Sequence, residues 1–303
     1  EPSASALATV RQAKAQRKSG SGSVAVFANP VFDANDPRVT QTNSETASAS
    51  NGHAQLVKQA FRDAGQETAT IPPLPASREE ADAIFSVIPW LSGFKAIDFQ
   101  ASRGTIGQTD FTQYRVIHFA THGFVDYEHP ELSGLVFSMV DEIGTPQDGF
   151  LRMHDIYNLK LPVDLVVLSA CNTGLGRDIK GEGLIGLTRG FMYAGARGVV
   201  ASLWKVDDDA TAELMKHFYA AMFQKGMPPG AALRDAQLAL RSQKRWESPY
   251  YWAAFVIQGE YDQKQLADTQ KLNLVTVGVG ICVLTVGAAL LFRLKRKRTI
   301  RMK

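Results

Sequence analysis

"VDLVVLSACNTG", residues 163–174, holds an unbroken apolar run that stops at a cysteine and a glycine-containing turn. A strand with one wet face alternates apolar and polar residues; a continuous run fills a strand covered on both faces, as in a parallel sheet packed between helices. "RVIHFATHGF", residues 115–124, ends in the same manner, at His122 and Gly123. Moving outward, "VAVFANP" (24–30), "FKAIDFQ" (94–100), "GLVFSMV" (134–140), "RGVVASLW" (197–204) and "YYWAAFVIQGE" (250–260) read as further strands. Between them, apolar residues return at helical spacing in 53–65, 183–196, 207–226 and 228–243, and a short helix with a connector fits "FLRMHDIYNLKL" (150–161). Ser77 followed by Glu80 has the spacing of a capping box and predicts a helix start there. Strands alternating with helices at this spacing predict an α/β fold with a mostly parallel sheet flanked by helices, and place any site at the carboxyl ends of its strands.

The chain has 303 residues, 45% hydrophobic and 21% charged, enough for one large α/β domain or two small ones with a sizeable core. Its net charge of +3 is unevenly placed: Arg293, Lys295, Arg296, Lys297, Arg298, Arg301 and Lys303 crowd the last residues, and without these seven the rest carries −4. A slightly acidic body has no broad nucleic-acid footprint. Cys171 and Cys282 are the two cysteines, too few for a disulfide framework and without the spacing of a zinc site. Residues 272–292, "LNLVTVGVGICVLTVGAALLF", contain no charge and are long enough to span a bilayer as a helix. The alternative, a buried core helix, fits less well because the basic cluster follows at once. The expected organisation is therefore a globular domain over 1–260, a linker over 261–271, a transmembrane helix over 272–292 and a basic cytoplasmic tail over 293–303. The positive charges favour a cytoplasmic C-terminus with the globular domain on the other side, and the tail suits anionic lipid.

His122 and Cys171 occupy equivalent places, each after an apolar strand and before a glycine-containing turn. In a parallel sheet both would emerge at one rim. An imidazolium beside a thiol favours the thiolate, the form that acts as a nucleophile. Gly123 removes a side chain next to the imidazole, so its backbone N–H can approach a developing oxyanion, with the Cys171 N–H as a second donor. Their separation, 171 − 122 = 49 residues, is close to the roughly 50 of the caspase pair. Taken singly, each residue is more often an inert buried group than a catalytic one; the matched places and the spacing carry the reading. "GLGRDIKGEGLIGL" (174–187) holds five glycines but lacks the phosphate-binding pattern. These glycines let the loop bend, and Glu182 could cap the next helix or line the site. Asp207, Asp208 and Asp209 follow another strand end; Asp209 is the expected helix cap. His118, four residues before His122, reads as a packing histidine, and His129, His154 and His217 as surface or connector residues.

"ATHG" (120–123), "LSACNTGLG" (168–176) and "GEGLIGLTRGFMYAGARGVVASLWKVDDDAT" (181–211), with "PSASALATVR" (2–11) and "LPASREEADAI" (74–84), closely resemble the CHAT domain, a caspase- and separase-like cysteine peptidase family. The resemblance covers residues 1–260 and implies a caspase-haemoglobinase fold. It implies His122 as general acid/base, Cys171 as nucleophile and Gly123 in the oxyanion hole. By the separase likeness, Asp207 or Asp208 would read a basic residue before the cleaved bond. It also implies that the chain starts inside its domain, and that tetratricopeptide repeats or a regulatory protein precede or accompany it. The expected activity is that of a membrane-anchored cysteine endopeptidase acting on protein or peptide substrates without metal or organic cofactor. The alternatives are a non-catalytic CHAT-fold scaffold at the membrane and, more remotely, an acyltransferase or transpeptidase using the same thioester.

Overall fold

The computed structural model describes residues 22–40, 71–88, 93–124, 133–169, 172–173, 182–204 and 206–260. In chain order these form β1 (Gly22–Ala28), α1 (Pro75–Val87), β2 (Phe94–Ile97), α2 (Arg103–Gln108), β3 (Tyr114–Ala120), β4 (His122–Phe124), β5 (Gly134–Val136), β6 (Phe150–Arg152), α3 (Met153–Asn158), β7 (Leu165–Leu168), β8 (Asn172–Thr173), α4 (Glu182–Ala194), β9 (Gly198–Ser202), α5 (Asp208–Phe223), α6 (Pro229–Arg241), α7 (Pro249–Trp252) and β10 (Phe255–Gly259).

Two sheets result. The larger runs β10-β9-β7-β3-β1-β2. Its pairings are parallel except at the β9–β10 edge, which is antiparallel. The period-2 geometry of strands sorts their side chains between two faces. Val24, Val26 and Ala28 of β1 join Val116, Leu165 and Val200 in a core closed by α1, α5 and α6. Ala25 and Phe27 of the same strand join Ile117, Val166 and Val199 in a second core closed by α2, α3 and α4. Helices on both faces explain why the central strands carry no polar alternation. Phe27 anchors the second core, with its ring 5.5–6.4 Å from those of Phe94, Phe111, Phe119 and Phe137. Burying one such side chain contributes about 1.5–3 kcal/mol.

The smaller sheet runs β6-β5-β4-β8 and was not expected from the sequence. The strand predicted over 134–140 stops at Val136, and "FLRMHDIYNLKL" begins with a strand before its helix. Gly134 is required here: a Cβ at that position would lie 2.2 Å from Leu151 O. A second correction concerns residues 77 and 80. Helix α1 begins at Pro75 with Leu74 as its N-cap and no side-chain cap bond, so Ser77 and Glu80 form no capping box. The Ser77 hydroxyl instead donates to Leu74 O and accepts from Asn29 N–H, and Glu80 is buried. Helix α4 does end where expected, with Gly195 at a φ of 123° that favours glycine.

The expected helix over 53–65, linker over 261–271, span over 272–292 and tail over 293–303 lie outside the described residues. Among the described residues, no helix is long and apolar enough to cross a membrane.

Gly134→Ala forces β5 and β6 apart, because the atom in the way is backbone rather than a side chain that can swing aside. An overpacking penalty of about 1–3 kcal/mol is expected in urea unfolding. Unchanged stability would contradict the β5–β6 pairing.

Candidate functional site

In the larger sheet, β1 lies between β2 and β3, so the strand order reverses there. Crevices outside the carboxyl ends of strands at such a switch point are where α/β sheets bind ligands. The last register pair of β3 and β7 is Phe119 with Leu168, and the Ser169 N–H donates to Phe119 O at 3.0 Å. Beyond it the two segments do not part. They enter the smaller sheet as β4 and β8, again parallel, with Gly123 opposite Asn172 and Phe124 opposite Thr173. His122 immediately precedes Gly123, and Cys171 immediately precedes Asn172. Cys171 itself lies outside the described residues, as does His129.

His122 is buried and held from several sides. On one side β4 pairs with β5, setting His122 opposite Val136. The preceding Thr121 hydroxyl donates to Val136 O. The His122 Nε2 lies 2.8 Å from Pro72 O. A carbonyl oxygen only accepts, so Nε2 carries the hydrogen, and in the neutral ring the basic lone pair belongs to Nδ1. The ring of Phe32, just beyond β1, stands 5.2 Å from the imidazole. Phe32 belongs to a small apolar cluster with Ile71, Phe124, Val136, Met139 and Phe150. The imidazole thus has a fixed tautomer and an apolar wall. Neither Pro72 nor Phe32 was picked out from sequence; a backbone carbonyl leaves no side-chain signal.

Strand β9 is parallel to β7, with Ala201 opposite Leu168, so the segment after it leaves the sheet at the same carboxyl edge. There the acidic run is assigned differently from expectation. Asp207, not Asp209, caps α5, its Oδ1 accepting from Ala210 N–H at 2.9 Å. Asp209 is exposed and pairs with Arg245. Asp208 is exposed in the first turn. Glu182 opens α4; its side chain lies outside the described part. His118 is fully buried, which agrees with a packing role. His154 is largely exposed, and His217 is partly exposed and paired with Glu213 at 3.1 Å. Among the described residues, no group of three or more histidines, cysteines or acids could hold a metal ion.

The chain matches the family described as the CHAT domain over residues 1–260. It is also similar to Tetratricopeptide repeat protein 28 of Homo sapiens, 28% identical over 218 residues that cover 62% of this chain and 8% of that protein. The Mus musculus protein of the same name is 28% identical over 218 residues, covering 62% of this chain and 9% of its own length. The chain thus spans less than a tenth of the relatives it matches.

The cap assignment can be checked by thermal unfolding. Asp207→Ala is expected to lower stability by about 1 kcal/mol. Asp209→Ala removes only a solvent-screened pair and should change it by a few tenths, roughly. The reverse order would contradict the assignment.

Proposed function

Because this chain belongs to the CHAT domain family, we propose that it is a cysteine endopeptidase working through Cys171 and His122. The observation that carries the proposal is the parallel register of Gly123 with Asn172. It sets side by side the chain positions next to His122 and Cys171, beyond the carboxyl ends of the neighbouring strands β3 and β7, where α/β sheets carry their sites. The mostly parallel sheet with helices on both faces is compatible with the caspase-haemoglobinase fold that the family resemblance implies.

In the proposed reaction the Cys171 thiolate attacks the carbonyl carbon of a peptide bond, forming a C–S bond and moving an electron pair onto oxygen. Backbone N–H groups of Gly123 and Cys171 stabilise that oxyanion. Collapse breaks the C–N bond, and the leaving amine takes its proton from the His122 imidazolium. His122 Nδ1 then removes a proton from water, which hydrolyses the thioester and releases the thiol. The Nε2–H donated to Pro72 O supports this division of labour between the ring nitrogens. Chemistry of this kind needs neither metal nor organic cofactor. On the substrate side we place Asp207, Asp208 and Glu182. Asp208 is exposed in the first turn of α5, and Asp207 caps that helix.

The charge-free run 272–292 and the seven basic residues after it support a single-pass anchor with a cytoplasmic C-terminus in contact with membrane lipid. The name of the relatives supports tetratricopeptide repeats as regulatory or docking partners. The second reading is a non-catalytic scaffold that holds a partner at the membrane, a role that repeats of the kind the relatives' name records would suit.

Cys171→Ala and His122→Ala are each expected to lower peptide cleavage on the order of a thousandfold or more. An unchanged rate in both would favour the scaffold. Protease added to intact cells is expected to digest residues 1–260, and full protection of that part would exclude the proposed orientation.

A further inference from the structure

Beneath the strand ends, between the larger sheet and helices α1 and α5, lies a chain of buried polar side chains. Glu80 of α1 is 4% exposed, and His118 of β3 and Tyr219 of α5 are fully buried. The Ser169 hydroxyl donates to Glu80 Oε2 at 3.0 Å. Glu80 Oε1 stands 3.1 Å from His118 Nε2, a close polar contact rather than a formed hydrogen bond. His118 Nδ1 lies 3.1 Å from Tyr219 Oη. Burial, reinforced by the Glu80 carboxylate, pushes the Tyr219 hydroxyl well above its ordinary range and keeps it a neutral O–H.

A carboxylate taken out of water costs several kcal/mol before its partners offset it, and apolar residues of similar volume usually serve the core as well or better. Its place in the chain gives this one a different value. Ser169 lies two residues before Cys171, and His118 lies four before His122. The same helix holds the other half of the site. Through Ser77 it binds Asn29 N–H at 2.8 Å and Leu74 O at 2.7 Å. That fixes the segment leading into α1, whose Pro72 carbonyl orients His122.

We infer that Glu80 is a positioning residue for the cysteine–histidine site, its two carboxylate oxygens reaching the strand that leads to Cys171 and the strand that leads to His122. The inference rests on the peptidase reading. Its role is to fix where the thiol and imidazole stand; it touches neither substrate nor reacting atoms.

The test compares Ser169→Ala, Ser169→Thr, Glu80→Ala and Glu80→Gln in the full chain. Three readouts are used: kcat, KM, and the rate at which iodoacetamide alkylates Cys171, followed by peptide mass. Ser169→Ala and Glu80→Ala are expected to lower kcat by about tenfold or more with KM within about twofold, and to slow alkylation in parallel. Ser169→Thr keeps the hydroxyl and Glu80→Gln keeps an acceptor for it, so both should recover most of the loss. A core-filling role alone would lower the melting temperature and leave kcat and alkylation of the folded protein unchanged; that result overturns the inference. If Glu80→Ala does not fold, Ser169→Ala decides. If Cys171→Ala cleaves as well as wild type, the peptidase reading has failed instead, and alkylation alone decides whether Glu80 positions the thiol.

Discussion

Parallel pairing of Gly123 with Asn172 is the constraint on which the rest of the site depends. Strands β3 and β7 are already neighbours, but their last register pair is Phe119 with Leu168. Without a second ladder, nothing in the larger sheet would set the segments beyond in register. The smaller sheet removes that freedom. It takes both chains as they leave the larger sheet and locks them again, one residue past His122 and one past Cys171. Chemistry between two side chains loses rate steeply with misplacement of about an ångström, so a ladder is a better mount than a pair of loops.

The register is held in turn from below and from the side. On one flank β5 pairs with β4, an approach that the missing side chain of Gly134 permits against β6. On the other, helix α1 serves both halves: Ser77 secures the segment that carries the Pro72 carbonyl, and Glu80 reaches Ser169 and His118. A single helix thereby ties imidazole orientation to the strand ends. This coupling also gives a reason for an acidic side chain buried beside His118 and Tyr219.

The parallel centre of the fold was legible in sequence because doubly covered strands cannot alternate: "VAVF" and "LVVL" have no wet face to display. The smaller sheet was not legible. Its strands His122–Phe124, Gly134–Val136 and Phe150–Arg152 are too short for any period to show. Ser77 and Glu80 misled because a serine three residues before a glutamate looks the same whether the glutamate folds back to the helix end or turns into the core. Three consecutive aspartates likewise leave the cap ambiguous; only the backbone at Ala210 selects Asp207. For the proposed site, the matched places of His122 and Cys171 are read from two apolar runs ending alike, whereas the carbonyl that holds the imidazole was invisible because backbone atoms carry no residue identity.

The central claim, that the β4–β8 register delivers the Cys171 thiol to the His122 imidazole, is tested most directly by titrating that thiol. Alkylation of Cys171 is followed against pH in the wild type and in His122→Ala. The account predicts a wild-type midpoint below the roughly 8.5 of a free cysteine, because imidazolium favours thiolate, and a rise toward that value when the imidazole is removed. Identical midpoints in the two proteins would contradict it.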